Sequence, residues 1–227
     1  SMVHYAESKR RIVRSKEPGD LFIAGAGAAR TDNTPWPEAR GDDVITIDPA
    51  NESTDPWPID NALDLAIPGA HNRVNARFAV AAAVSAALRT AAATPDRAPD
   101  LAKVAAESLR TFEGLPHRLA LVGRFAARGA SPSDPPVSAY DDSKCSTPAA
   151  AVIAIKAFSE EQGGPGVRRV HLIAGGYDKK ISLAPLLDAA RDCARVYTIG
   201  ATGPAIAAAL PNAVHCGTLD RAVNAAV

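Results

Sequence analysis

Three polar stretches of this chain each follow a short apolar run: "DDSK" at 141–144, "AGGYDKK" at 174–180 and "GATGP" at 200–204. Their residue types suit an anion or a sugar. Asp141 and Asp142 can accept from hydroxyl groups, Lys144 and Lys179 are cations for a phosphate or carboxylate, and Gly175 and Gly176 allow close backbone approach. Thr147 and Pro148 open a helix whose free N–H groups favour negative charge. Each motif has a second reading: the DDSK stretch is equally a helix-capping turn with solvated charges, and Lys179 an exposed loop lysine. In "HNRVN" (71–75) the amides of Asn72 and Asn75 can read a nucleobase edge, or Asn72 can cap the helix that begins there. Lys9, taken alone, is a solvated charge on a first helix. Cys145 lies inside the DDSK turn with no histidine near it in sequence, so nothing marks it as an activated thiolate. A phosphate loop of the form GxxxxGK(S/T) is absent, because "GGYDKKIS" has the wrong spacing.

The composition excludes several classes of function. In 227 residues, 25 basic side chains cancel 25 acidic ones, which leaves no broad field for nucleic acid or an anionic membrane. Apolar runs such as "FAVAAAVSAAL" (78–88) are too short and too alanine-rich to span a bilayer. The three cysteines lack metal-ligand or CxxC spacing, which fits reduced thiols in the cytoplasm, and no signal sequence opens the chain.

Positioning those motifs requires an α/β architecture. The first 70 residues read as an amphipathic helix, strands at "LFIAGAG" (21–27) and "DVITID" (43–48), and a weaker third strand at "NALDLAI" (61–67). Two helices follow, with Val74, Phe78, Ala81 and Leu88 on one stripe and Leu101, Val104, Ala105, Leu109 and Phe112 on the other. From 119 onward the runs "LALV", "VSAY", "VHLI", "VYTI" and "AVHC" alternate, after the first, with helical stretches near 148–159, 183–194, 203–210 and 218–227. That alternation predicts a mostly parallel sheet from about 113 to 227, with "VSAY", "VHLI" and "VYTI" in it and the polar stretches at its carboxyl edge. Gly114 and Pro116 mark the hinge between halves.

The motifs "PGAHNRVNARFAVAAA", "FEGLPHRL", "DDSKCSTPAAAVIAIKAF", "VHLIAGGYDKKISLAPL", "YTIGATGPAIA" and "CGTLDRAV", in that order, resemble the Mur ligases. DSK together with GGxDK is similar to the D-glutamate-adding type and unlike relatives that carry DNPR. The resemblance implies that residues 1–112 are the latter part of a central ATP-binding domain. Residues 113–227 would then be a Rossmann-like C-terminal domain lacking its last strand, in a chain cut at both ends. It implies an ATP- and Mg2+-dependent amide ligase of peptidoglycan synthesis, cytoplasmic and monomeric, acting on UDP-N-acetylmuramoyl-L-alanine and D-glutamate through an acyl phosphate. Residue by residue, Lys9 matches a lysine that is carbamylated and supports the metal. Asn72 and Asn75 match adenine-side residues, and Arg118 and Asp142 match ribose and phosphate contacts. Lys144, Ser146 and Lys179 match the acceptor side, although "KCST" stands where "KATN" is commoner. The implied alternatives are another Mur or folylpolyglutamate-type ligase and a non-catalytic nucleotide-binding module. With no phosphate loop, the chain alone is expected not to ligate.

Overall fold

In the computed structural model, residues 7–8, 11–15, 17, 19–26, 44–59, 63–90, 92–127, 129–161 and 170–226 are described. They fall in two compact units, one of Ser1–Ala66 and Asn72–Phe112, the other of Ile67–His71 and Glu113–Val227.

The first unit holds two parallel strands, β1 (Phe22–Gly25) and β2 (Val44–Ile47), paired from Phe22↔Val44 to Gly25↔Ile47. Its helices are α1 (Ala70–Arg89), whose first two residues lie in the other unit, and α2 (Ala98–Ser108). Pro95 and Pro99 open the approach to α2, where a missing N–H costs no helical bond. Ala98, Ala102 and Ala106 repeat every fourth residue and bury against Val80 and Val84 of α1, with Ile59, Leu63 and the half-buried Trp57 closing the cluster. The buried face of α1 therefore runs through Ala76, Arg77, Val80, Ala81 and Val84, about one residue away from the expected stripe, and Val104 of α2 is exposed. Alanines on every side of α1 blur its periodicity, and an arginine occupies a core position.

That arginine is held through Nε and Nη2, while its Nη1 is buried without a partner among the described residues. Arg77 Nε donates to Asp55 Oδ2 at 2.5 Å and Nη2 to Asp55 Oδ1 at 2.7 Å, while Nη2 also reaches Asp48 O at 2.6 Å. Beside it, Arg73 Nε pairs with Glu52 and Nη1 donates to Leu63 O. Among the described residues the expected third strand does not form, since 63–67 are irregular. Pro58 and Pro68 bracket the segment, and the Leu63 carbonyl is taken by Arg73 rather than by a ladder partner.

The second unit begins with β3 (Ala120–Phe125) and β4 (Val137–Asp141), then α3 (Pro148–Glu161). There follow β5 (His171–Gly175), α4 (Ala184–Ala190), β6 (Arg195–Ile199), α5 (Gly203–Ala209), β7 (Ala213–Gly217) and α6 (Leu219–Ala226). Strands β5, β6 and β7 make a parallel sheet in that order, with Val196, Tyr197 and Thr198 of central β6 buried. Ile155 of α3, Leu186 and Ala190 of α4, and Ile206 of α5 pack with Cys193, Val196 and Leu210 into one core. Parallel strands need such helical crossovers, and the sequence supplies one after each strand.

One expectation is corrected. "VSAY" does not share the sheet of "VHLI" and "VYTI" among the described residues: β4 pairs antiparallel with β3, from Ala120↔Asp141 to Phe125↔Val137, as a separate two-stranded sheet. The reason lies in the connection between them, where Ser131 N donates to Asp134 Oδ2 and Asp134 N to Ser131 O in a proline-rich turn that returns the chain on itself. An antiparallel return needs only such a turn, whereas a parallel partner needs a crossover. The α/β class with a parallel, helix-wrapped sheet stands.

Candidate functional site

The carboxyl ends of β5, β6 and β7 lie on one edge because the three strands are parallel, the β6–β7 register shifting only between Thr198 and Ile199. Each ends in a glycine turn. Gly175 has φ 128°, and a Cβ there would sit 2.0 Å from Ile199 O, so β5 and the turn after β6 approach closer than any side chain permits. Thr202 N donates to Gly176 O at 3.1 Å and Gly200 N to Gly217 O at 3.1 Å, which ties the three turns together.

The "DDSK" loop joins this edge through Lys179, whose ammonium donates to Ser146 O at 3.1 Å. The neighbouring lysine has another task. Lys180, at φ 58°, pairs with Asp178 at 2.6 Å; that bond lowers the carboxyl's pKa and raises the amine's, so the two charges offset each other. Of the two adjacent lysines, then, Lys179 is the one turned to the loop between β4 and α3.

The loop itself is bonded to the segment "LPHRL". Lys144 N donates to His117 O at 3.2 Å, Leu119 N to Asp142 Oδ1 at 3.2 Å, and His117 Nδ1 to Asp141 Oδ2 at 2.6 Å. His117 at φ 65° and Leu119 at φ 46° are both left-handed without being glycine, so Arg118 is presented from a strained turn. Arg118 and Lys144 are exposed, and among the described residues neither side chain has a hydrogen-bond or ion-pair partner. The bond from His117 and those from Ser143 hold the Asp141 carboxyl down at about 2. Burial, then the charge of Asp142, pushes the Cys145 thiol up, which keeps it a spectator.

The second unit thus brings Arg118, Asp142, Lys144, Ser146 and Lys179 into connected loops. Asn72 and Asn75 lie in the first unit, one helical turn apart, with Asn75 Nδ2 donating to Asn72 Oδ1 at 3.3 Å. Lys9 lies outside the described residues. Sequence reasoning left His117 unassigned; its partner is 24 residues away, and no local pattern announces the pair. No group of three His, Cys, Asp or Glu side chains fit to hold a metal ion occurs among the described residues, and no helix there is long and apolar enough to cross a membrane.

Fold and site together define an α/β protein whose parallel strands end in a polar edge bearing exposed cations, the usual place for ligands in open sheets of this kind. No protein-family model matches the chain. In sequence it is similar to UDP-N-acetylmuramoylalanine-D-glutamate ligases. It is 30% identical to that of Dinoroseobacter shibae over 96% of this chain and 43% of the relative. It is 32% identical to that of Roseobacter denitrificans over the same shares, 96% and 43%. The ligase of Acidobacterium capsulatum is 36% identical over 74% of this chain and 31% of its own length. The chain therefore spans less than half the length of these curated relatives. Among solved structures, the UDP-N-acetylmuramate-alanine ligase of Thermotoga maritima matches with a TM-score of 0.47 and 18% identity, over 68% of this chain and 31% of that one.

Proposed function

We propose that the chain is a segment of an ATP-dependent ligase that joins D-glutamate to UDP-N-acetylmuramoyl-L-alanine. The observation that carries the reading is the alignment of nearly the whole chain with ligases of that name. Residues 1–112 would serve as part of the ATP-binding domain and 113–227 as the domain that positions the acceptor.

In the overall reaction the substrate carboxylate takes a phosphoryl group from ATP, the D-glutamate amine attacks the acyl phosphate, and the tetrahedral intermediate loses phosphate. The residues of this chain bind and orient. Asn72 and Asn75 offer amide donors and acceptors to the adenine edge. Arg118, exposed and without a side-chain partner among the described residues, suits phosphate oxygens, and Asp142 accepts from a ribose hydroxyl with the oxygen not taken by Leu119 N. Lys144 and Lys179, the latter bonded to the carbonyl of Ser146 in the Lys144 loop, stabilise negative charge on the acceptor and on the transferring oxygens. Among the described residues no group of three His, Cys, Asp or Glu side chains is placed to hold Mg2+.

The test is a chimera: this chain replaces the aligned segment of the Dinoroseobacter shibae ligase, and incorporation of D-glutamate into UDP-N-acetylmuramoyl-L-alanine is measured beside other amino acids. Incorporation of D-glutamate at a rate within tenfold of the parent supports the reading. A folded chimera that is inactive, or that prefers another amino acid, refutes it.

A further inference from the structure

A single carboxylate fastens two separate segments of the second unit. Asp141 Oδ1 accepts from Ser143 N at 2.8 Å, which shapes its own loop, while Oδ2 accepts from His117 Nδ1 at 2.6 Å across 24 residues of chain. The turn it reaches has reason to need fastening. Two non-glycine residues flank Arg118 in left-handed backbone, a conformation that persists only where the surroundings impose it. Three bonds impose it here: His117 to Asp141, Leu119 N to Asp142, and Lys144 N to His117 O. All three join the turn that carries Arg118 to the loop that carries Lys144.

We propose that His117 and Asp141 are positioning residues: their pair latches the Arg118 turn onto the Lys144 loop, so that the two exposed cations are held in fixed register. The latch deepens the function proposed above, in which both cations meet oxyanions, yet its structural content stands apart from that function. It also dictates a chemical signature. An ionised carboxylate is acceptor-only, so the His117 proton must sit on Nδ1. With asparagine at 141, the side-chain oxygen is still required by Ser143 N, and the amide presents N–H to the ring. His117 must then accept at Nδ1 and carry its proton on Nε2.

The experiment uses the isotopically labelled 227-residue chain with Asp141→Asn and Asp141→Ala. Three signals are read by NMR: the ring nitrogens of His117, amide exchange at Leu119 and Lys144 with β6 amides as the folding control, and shifts on adding ATP. We expect Nδ1 protonated in the parent and Nε2 alone protonated in Asp141→Asn. Exchange at Leu119 and Lys144 should rise at least tenfold in Asp141→Ala, stay within threefold of the parent in Asp141→Asn, and change less than twofold in β6. An unprotonated Nδ1 in the parent, or unchanged exchange in Asp141→Ala, overturns the latch. Should Asp141→Ala not fold, the tautomer change in Asp141→Asn decides alone. The expected exchange pattern without any ATP-induced shift supports the latch and counts against the nucleotide role of Arg118.

Discussion

Replacing Arg77 by alanine should cost the first unit about 3–5 kcal/mol, a large share of the stability a unit of this size commands. The side chains of Arg77 and Asp55 are 0% and 2% exposed, so neither charge has water to fall back on. The bond to Asp55 raises the pKa of a guanidinium that is already always charged, so no accessible pH relieves the site by neutralising the arginine. Removing it leaves a carboxylate buried without its bidentate partner and also strips Asp48 O of its donor at 2.6 Å. Asp55→Ala strands the cation instead and should cost a similar amount. Replacing both, as Arg77→Leu with Asp55→Ala, removes the orphan along with the pair and should cost less than either single change. Urea unfolding followed by Trp57 fluorescence in a Trp36→Phe background reads the unit directly, because Trp57 packs on that core. Single changes that each cost under about 1 kcal/mol, or a double change equal to their sum, would refute the reasoning.

Gly175→Ala should destabilise the second unit by at least about 2 kcal/mol, since the added methyl meets Ile199 O at 2.0 Å, while Gly176→Ala, which meets nothing within 4 Å, should cost less; denaturant midpoints compare them. In the chimera, Lys144→Ala should lower turnover more than a hundredfold while shifting Tm by under 2 °C, because the side chain is exposed and has no hydrogen-bond or ion-pair partner among the described residues; parallel losses would argue for a structural role. The depressed pKa of Asp141 means its contribution is fully present above the unfolded value near 3.8 and is lost as pH falls toward 2. Solvent screening limits it to about 1 kcal/mol or less, so the stability difference between parent and Asp141→Asn should stay constant above about pH 4 and shrink as pH falls from there toward 2. The 227-residue chain by itself should release no phosphate from ATP in the presence of both substrates, because its sequence holds no phosphate loop; turnover equal to the chimera's would disprove that.

Local pattern carried most of the fold and singled out Asp142, Lys144 and Lys179 as candidates, whereas Arg118 and Ser146 entered only through the family resemblance. Apolar runs followed by glycine or charge located β5, β6 and β7 to within a residue or two, and parallel pairing then placed "AGGYDKK" and "GATGP" on one edge. These features depend on residues a few positions apart, where backbone geometry alone decides which side chains share a face or a turn. What tertiary structure decided is non-local. The partner of β4 is β3 because a turn at 131–134 brings the chain back, and an apolar run cannot state which strand it will meet. The buried face of α1 passes through Arg77 because Asp55 and the Asp48 carbonyl wait for it 22 and 29 residues earlier. His117 meets Asp141 for the same kind of reason, 24 residues apart, and with that meeting Arg118 acquires its left-handed frame. A charge or a strained turn becomes affordable only when a distant group is brought to it, and that distance is fixed by packing rather than by any pattern along the chain.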